Sequence, residues 1–355
     1  NGSYPATDKT LEAEVPGHTE VYKTNALEPF RLFNLLKGKK GKDSPVGMGD
    51  MHKSKSLISR LGLWVRANYF IPDARVGWNP YAYKKAAELI KTNAYDAVIT
   101  TGPPHSTHLI GQQLKEKFGI TWLADFRDPW TTIYYNKYLP RTASASAKDQ
   151  KLETDVLKAA DGVLTVSPGL EAELADRAKS VKVLFNGFDD DDFSEEPERR
   201  ETFGLAYIGN FKDNQDVAEL WSAIAELKKE SEAFANDFRL ELTGNVAPRV
   251  DALLRENLGS SYERFGFVKH KEAVRRMKGA GSLLFIIPQA ANNELILTGK
   301  IFEYLATGTP MLSIGPLNGN AASIISGCRQ EPMVDYHDKQ GLKKVLLKQY
   351  ESFKS

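Results

Sequence analysis

Leu297-Thr298-Gly299-Lys300-Ile301-Phe302-Glu303-Tyr304-Leu305-Ala306-Thr307-Gly308-Thr309-Pro310 is the stretch on which the reading of the fold turns. A small Thr-Gly pair opens a helix predicted over 300–306, and a strand is predicted over 310–314. The first turn of a helix leaves N–H groups unpaired and carries a partial positive charge, so it attracts anions. Lys300 adds a full charge beside it. Glu303 follows three residues on, about one turn deeper on a neighbouring face. A carboxylate at that depth can accept two hydrogen bonds from a vicinal diol such as that of a ribose. A phosphate and a diol fit this spacing together; an ordinary core helix with Lys and Glu on its wet face fits it too.

Outward from this stretch, short apolar strands alternate with helical segments, the pattern of a doubly wound parallel sheet. The first half predicts strands at 97–101, 121–124, 162–166 and 181–185. It also predicts helices around His108 and Leu114, over 152–160, and after Ser167-Pro168, where proline suits a first helical turn. The second half predicts strands at 205–208, 240–243, 264–268, 282–287 and 310–314, with helices over 217–229, 272–278 and 300–306. Residues 189–201 are acidic, contain Pro197 and lack apolar periodicity, as a linker does. The expected organisation is α/β: a Rossmann-like domain over 1–188, a linker over 189–201, and a second Rossmann-like domain over 202–355. Gly, Asn, Asp and Pro collect at the strand ends, where open α/β sheets bind ligands. A site in a cleft between two facing domains is therefore expected.

Composition narrows the function classes. A net charge of +1 excludes a molecule that binds nucleic acid by its overall charge. The single Cys328 excludes an internal disulfide and a cysteine metal cluster. No apolar run approaches a membrane span, and the polar opening at Asn1 is unlike a signal peptide, so a reducing, cytoplasmic setting is expected. No G-x-G-x-x-G follows a strand, which argues against a dinucleotide dehydrogenase.

The 297–310 stretch resembles the nucleotide-binding helix of family 4-like retaining glycosyltransferases of the GT-B fold. Asn186-Gly187-Phe188-Asp189, Tyr207-Ile208-Gly209-Asn210, and Phe265-Gly266-Phe267-Val268 followed by Glu272 resemble further landmarks of that family, in its order. Pro103-Pro104-His105-Ser106 and Asp125-Phe126-Arg127-Asp128-Pro129-Trp130 resemble a bacterial branch that builds surface polysaccharides. The resemblance spans roughly residues 95–315. It implies a nucleotide-sugar donor and a glycan or lipid-linked acceptor. Glu303 would hold the ribose. Lys300 would hold the diphosphate with the Thr298 and Gly299 amides, and Gly209 and Asn210 would approach it from the other side. The backbone near Val268 would meet the base. It further implies transfer with retention, by a front-face route, and without metal or other cofactor. Two departures stand out. Relatives carry an acid eight positions before the ribose glutamate; here that position is Leu295, and Glu294 is one residue off. The family's opening strand and Gly-rich loop are not visible in Asn1 to Thr24.

Other candidates follow from residue chemistry. Lys300 and its helix are placed to stabilise charge on a departing diphosphate, a catalytic role. Gly244 ends a strand and is either a donor contact or turn chemistry. His105 stands at a strand end from which an imidazole can reach a reacting sugar; His108 reads as helix packing. Asp125 and Asp128 form a carboxylate pair able to orient an acceptor hydroxyl, with Arg127 as an equally good internal partner. The same acids invite a Mg²⁺ reading, disfavoured because Lys300 already supplies positive charge. Residues 31–66 mix lysines and arginines with Phe, Leu and Trp64, so they either rest on an anionic membrane surface or form a solvated loop between amphipathic helices. Two alternative functions stay open: a nucleotide-sugar 2-epimerase of the same fold, and a catalytically silent nucleotide-sugar-binding subunit.

Overall fold

A computed structural model describes residues 15–27, 57–194 and 201–355 of the chain. They divide into two compact units, one ending at Phe185 and the other beginning at Asn186. Most of the basic 31–66 segment, namely 31–56, lies outside the described residues.

The first unit runs α1 (Leu57–Tyr69), α2 (Asn79–Thr92), β1 (Ala97–Gly102), α3 (Ser106–Phe118), β2 (Thr121–Phe126), α4 (Ala143–Ala159), β3 (Gly162–Thr165), α5 (Pro168–Leu174) and β4 (Val181–Val183). The strands form a parallel sheet in the order β1-β2-β3-β4. Parallel neighbours need a long crossover, and α3, α4 and α5 supply the three. Trp122, Phe126, Leu157 and Leu174 are fully buried at the centre. The helix α3 lies close on this core: a Cβ at Gly111 would run into the Trp122 indole, so only glycine permits the approach. Ser167 caps α5 by accepting from the Leu170 amide, with Pro168 at the first turn.

The widest boundary difference from expectation is in α4. Helix α4 starts at Ala143 rather than Leu152, capped by Thr142. Its extra turns bury Asp149 on the inner face, and Glu153 follows just beyond them; both are about 1% exposed, so no apolar stripe marks the start of the helix. These acids are matched inside: Asp149 by Trp130 Nε1 and Arg141, Glu153 by Arg177 at 2.8 Å and Thr131 at 2.8 Å.

The second unit runs β5 (Phe203–Ile208), α6 (Ala218–Glu230), α7 (Glu232–Asp237), β6 (Phe238–Thr243), α8 (Pro248–Leu258), β7 (Tyr262–Phe265), α9 (His270–Lys278), β8 (Ser282–Ile286), α10 (Lys300–Ala306), β9 (Met311–Ile314), α11 (Asn320–Ser326) and α12 (Lys339–Lys354). Its sheet is parallel, in the order β7-β6-β5-β8-β9. One face packs on α6, α8 and α12 through Leu220, Ile224, Leu254, Leu342 and Leu346; the other packs on α9, α10 and α11 through Met277, Ile301, Tyr304 and Ile325. Apolar cover on both faces is why β5 and β8 are buried along almost their whole length.

The stretch expected as a linker is described at 189–194 and at 201. Asp190–Phe193 is a single turn docked on α9: Asp192 meets His270 Nε2 at 2.9 Å, and Lys278 Nζ donates to the Phe193 carbonyl at 2.8 Å.

Candidate functional site

The strand order of the second unit reverses between β5 and β8, and a reversal of this kind opens a crevice at the strands' carboxyl ends. Two loops meet there. The Gly209 amide donates to Thr243 O at 2.8 Å, Phe211 N to Asn245 O at 2.7 Å, and Ala247 N to Phe211 O at 2.9 Å, so the chain after β5 is zipped to the chain after β6. Both glycines have left-handed backbone, φ +126° at Gly209 and +114° at Gly244. A Cβ at Gly244 would lie 2.5 Å from Gly209 O, and one at Gly209 would lie 3.0 Å from Lys300 Nζ. Each glycine is thus required twice, by conformation and by space.

Helix α10 carries the other wall. Tyr304, fully buried, accepts from the Ile208 amide at 2.9 Å, which pins the helix to the end of β5. Lys300 sits one turn earlier on the same face, and its ammonium lies 3.7 Å from the centre of the Tyr207 ring. The Tyr207 hydroxyl is fixed in turn by the Asn210 carbonyl at 3.0 Å and by Gln215. Burial pulls the Lys300 pKa down to about 7, against the attraction of Glu303, and Lys212 lowers it further. Burial also raises the Glu303 carboxyl above the ordinary glutamate range, opposed by His270 and Lys300 and reinforced by Asp192. Burial is the first cause of both shifts, and it acts on each group by disfavouring its charged form.

Gly209, Asn210, Gly244, Lys300 and Glu303 therefore gather at one crevice, with Thr298 and Gly299 opening α10; their carbonyls accept from Ile301 and Phe302. The Asn186 side chain lies beside Gly299. The Val268 side chain is partly buried and packs against the cluster that holds Met277, Ile301 and Tyr304. Glu294 is exposed on a one-turn helix, Asn293–Leu295, and its backbone abuts Gly319 at the start of α11.

In the first unit His105 precedes α3 and is 8% exposed. Its ring stacks on Trp130 at 5.1 Å between centres, and His108 stacks on Phe126 at 4.5 Å. His108 Nδ1 shares a 2.9 Å hydrogen bond with Thr100, so His108 belongs to the packing, as the reading had it. Burial lowers the pKa of His105 to about 4, with Asp73 and Glu153 pulling the other way, and that of His108 to about 3, with His105 adding to the effect. Both rings are neutral near pH 7. Asp125 is buried and meets Arg127 at 3.4 Å; the internal pairing is realised. The Arg127 amide donates to Gly102 O at 3.0 Å, joining the ends of β1 and β2. Burial raises the Asp128 carboxyl against the pull of Arg127. His105 and Trp130 also line a cavity of about 320 Å³, shared with Arg66, Asp73, Arg75 and Arg141. Among the described residues, no three His, Cys, Asp or Glu side chains stand close enough to hold a metal.

No family model matches the sequence, and no curated protein matches it. Solved structures do match in shape. The chain is similar to sucrose-phosphate synthase from Thermosynechococcus elongatus at 18% identity, covering 77% of this chain and 69% of that one, with a TM-score of 0.56. It is similar to α,α-trehalose 6-phosphate synthase from Burkholderia multivorans at 11% identity, covering 85% and 74%, with a TM-score of 0.52. It is also similar to a trehalose-6-phosphate protein from E. coli, bound with UDP-2-fluoro glucose, at 11% identity, covering 86% and 77%, with a TM-score of 0.51. These neighbours are GT-B glycosyltransferases. The chain has the GT-B fold. The two Rossmann-like domains expected of that fold are the two units described above.

Some members of the GT-B crevice escape a sequence reading. Tyr207 reads as a core aromatic in a buried strand; only the structure shows its ring under Lys300. His270 and Asp192 lie 78 residues apart in sequence and meet near Glu303. Lys212 had an available signal: it is a cation just past the Gly209-Asn210 turn.

Proposed function

We propose that the chain is a glycosyltransferase that takes a sugar from a nucleotide-sugar donor bound in the second unit. The observation that carries this reading is the Lys300 ammonium, held against the Tyr207 ring beside a left-handed Gly209 that has no side chain. A cation in that setting lacks a full complement of solvent, and a diphosphate would supply its missing partner. As the bond to the anomeric carbon breaks, charge grows on the departing phosphate oxygens; Lys300 stabilises it without moving. Glu303 holds the ribose hydroxyls.

The finer reading is transfer, with retention and without a metal, to a glycan or lipid-linked acceptor in bacterial polysaccharide synthesis. The E. coli neighbour bound with a UDP-sugar analogue supports the donor class. The first unit then takes the acceptor, with His105 and the Asp125–Asp128 pair nearest it. Helix α1 exposes Leu61, Trp64 and Tyr69 beside Arg60 and Arg66, which supports peripheral contact with an anionic membrane holding a lipid-linked acceptor. No helix among the described residues is long and apolar enough to cross a membrane.

Thermal stability measured against UDP, GDP, ADP and TDP at about 1 mM tests the donor site, since a ligand at ~100 times its Kd adds ~2.7 kcal/mol. One nucleotide should raise the melting temperature of the wild type and not of Glu303→Ala. An equal rise in both proteins would remove the ribose assignment.

A further inference from the structure

Glu303 has charged neighbours that its own helix does not supply. Besides Lys300 on α10, it feels His270 from the first turn of α9 and Asp192 from the single turn Asp190–Phe193. His270 Nε2 and Asp192 Oδ2 lie 2.9 Å apart, and both side chains are partly buried. The turn that carries Asp192 is held at a second point, where Lys278 Nζ donates to the Phe193 carbonyl at 2.8 Å. Helix α9 thus grips it at its first and its last residue. Glu272, the acid in the first turn of α9, is taken by Arg275 at 2.8 Å and Arg276 at 2.7 Å, while Asp192 is the carboxylate bonded to His270.

A carboxylate accepts hydrogen bonds on both oxygens only while it is ionised, and a diol offers two. Burial works against the charge on Glu303, so its neighbours decide the balance. Lys300 is a divided helper: burial weakens its own charge, and a bound diphosphate claims its attraction. His270 has no such second duty. A carboxylate on one ring nitrogen fixes the tautomer and orientation of an imidazole. Asp192 repels Glu303 directly, and its bond to His270 turns that acid to a supporting use. We propose that Asp192 and His270 are positioning residues for the donor: Asp192 holds the imidazole, and the imidazole supports the Glu303 carboxylate that takes the ribose hydroxyls. The inference rests on the donor-site reading and adds a condition to it, that residues 190–193 be docked on α9.

The test is calorimetric titration of the full chain with UDP, GDP and ADP, each beside its 2′,3′-dideoxy counterpart, which keeps the base and phosphates and lacks the diol. Wild type, Glu303→Ala, His270→Ala, Asp192→Ala and Asp192→Asn are compared. Wild type should prefer the ribose form of one nucleotide by about tenfold or more, the size expected for hydrogen bonds to a charged group, and Glu303→Ala should lose that preference. His270→Ala and Asp192→Ala should lose most of it too, yet bind the dideoxy form as wild type does, which also shows that they fold. Asp192→Asn, whose amide oxygen still accepts from the ring, should keep it. What preference remains in His270→Ala should vanish at a higher pH than in wild type as pH falls, because the carboxylate has lost an attraction. Full preference in His270→Ala, or equal loss of the ribose and dideoxy forms, would overturn the proposal and leave the Glu303 assignment standing. A wild type that binds both forms equally would overturn that assignment and the proposal together. A wild type that binds none of the three nucleotides would overturn the donor-site reading itself.

Discussion

At the scale of single residues the molecule turns on Lys300. Its pKa in the folded protein is about 7, against an ordinary 10.5. Below pH 7 the charged form is present in folded and unfolded chains alike, and its burial cost is fully felt. As pH rises from about 7 toward 10 the folded chain sheds the proton before the unfolded one does, so stability increases. Replacing the cation by Lys300→Met should therefore raise the melting temperature at pH 6, and the gain should shrink by pH 10. A variant whose advantage is independent of pH would show that Lys300 is not desolvated. A bound diphosphate favours the charged lysine, so nucleotide binding should take up a proton near pH 8 and weaken above it. Titrations in buffers of different ionisation enthalpy read that proton directly. Lys300 and Glu303 were legible in the sequence because the helix that carries them is local, a small-residue turn followed by the two charges. Their neighbours were not, because Tyr207, His270 and Asp192 reach the crevice through strand pairing and docking that no local pattern encodes.

At the scale of elements, the loops after β5 and β6 are a fitted pair. Gly244→Ala would drive a methyl into Gly209 O and force a left-handed alanine. It should cost about 1–3 kcal/mol from backbone strain alone, and more from the clash. Gly209→Ala meets the movable end of Lys300, so it should destabilise less while weakening nucleotide binding as much. Denaturant unfolding and nucleotide titration of the two variants would separate these effects; equal losses of stability would contradict the fitted-loop account. Helix α1 makes a separate prediction. Trp64→Glu or Leu61→Glu should reduce sedimentation with anionic vesicles by about tenfold, the worth of one large apolar side chain, and leave the nucleotide response intact. Vesicle binding that ignores both changes would end the membrane reading. Strands were the most legible elements, because buried parallel strands are short apolar runs closed by Gly, Asn or Asp. The early turns of α4 were hidden because acids occupy its inner face. Helix α12 did carry a signal in the spacing of Leu342, Leu346, Tyr350 and Phe353.

At the scale of the whole molecule, the hydrophobic clusters of the two units share no residue among those described. Calorimetry should resolve two transitions, with nucleotide raising only one. The other should fall as pH drops from about 6.5 toward 4. His105 and His108 stay neutral when folded but charge in the unfolded chain, so stability is lost across that window. A single transition, or one in which acid and nucleotide act on the same unit, would contradict this division. The buried strand β5 carries a further consequence, one of timing. Its partner on one side, β6, follows within one crossover, but Leu205 pairs on the other side with Ser282, 77 residues further along. Translation at roughly 5–20 residues per second leaves that edge open for about 4–15 s. During this interval Phe203-Gly204-Leu205-Ala206-Tyr207-Ile208 offers an apolar, unpaired ladder to any neighbouring nascent chain. Conditions that stall synthesis between these two strands should therefore lower soluble yield while leaving the finished protein's stability unchanged.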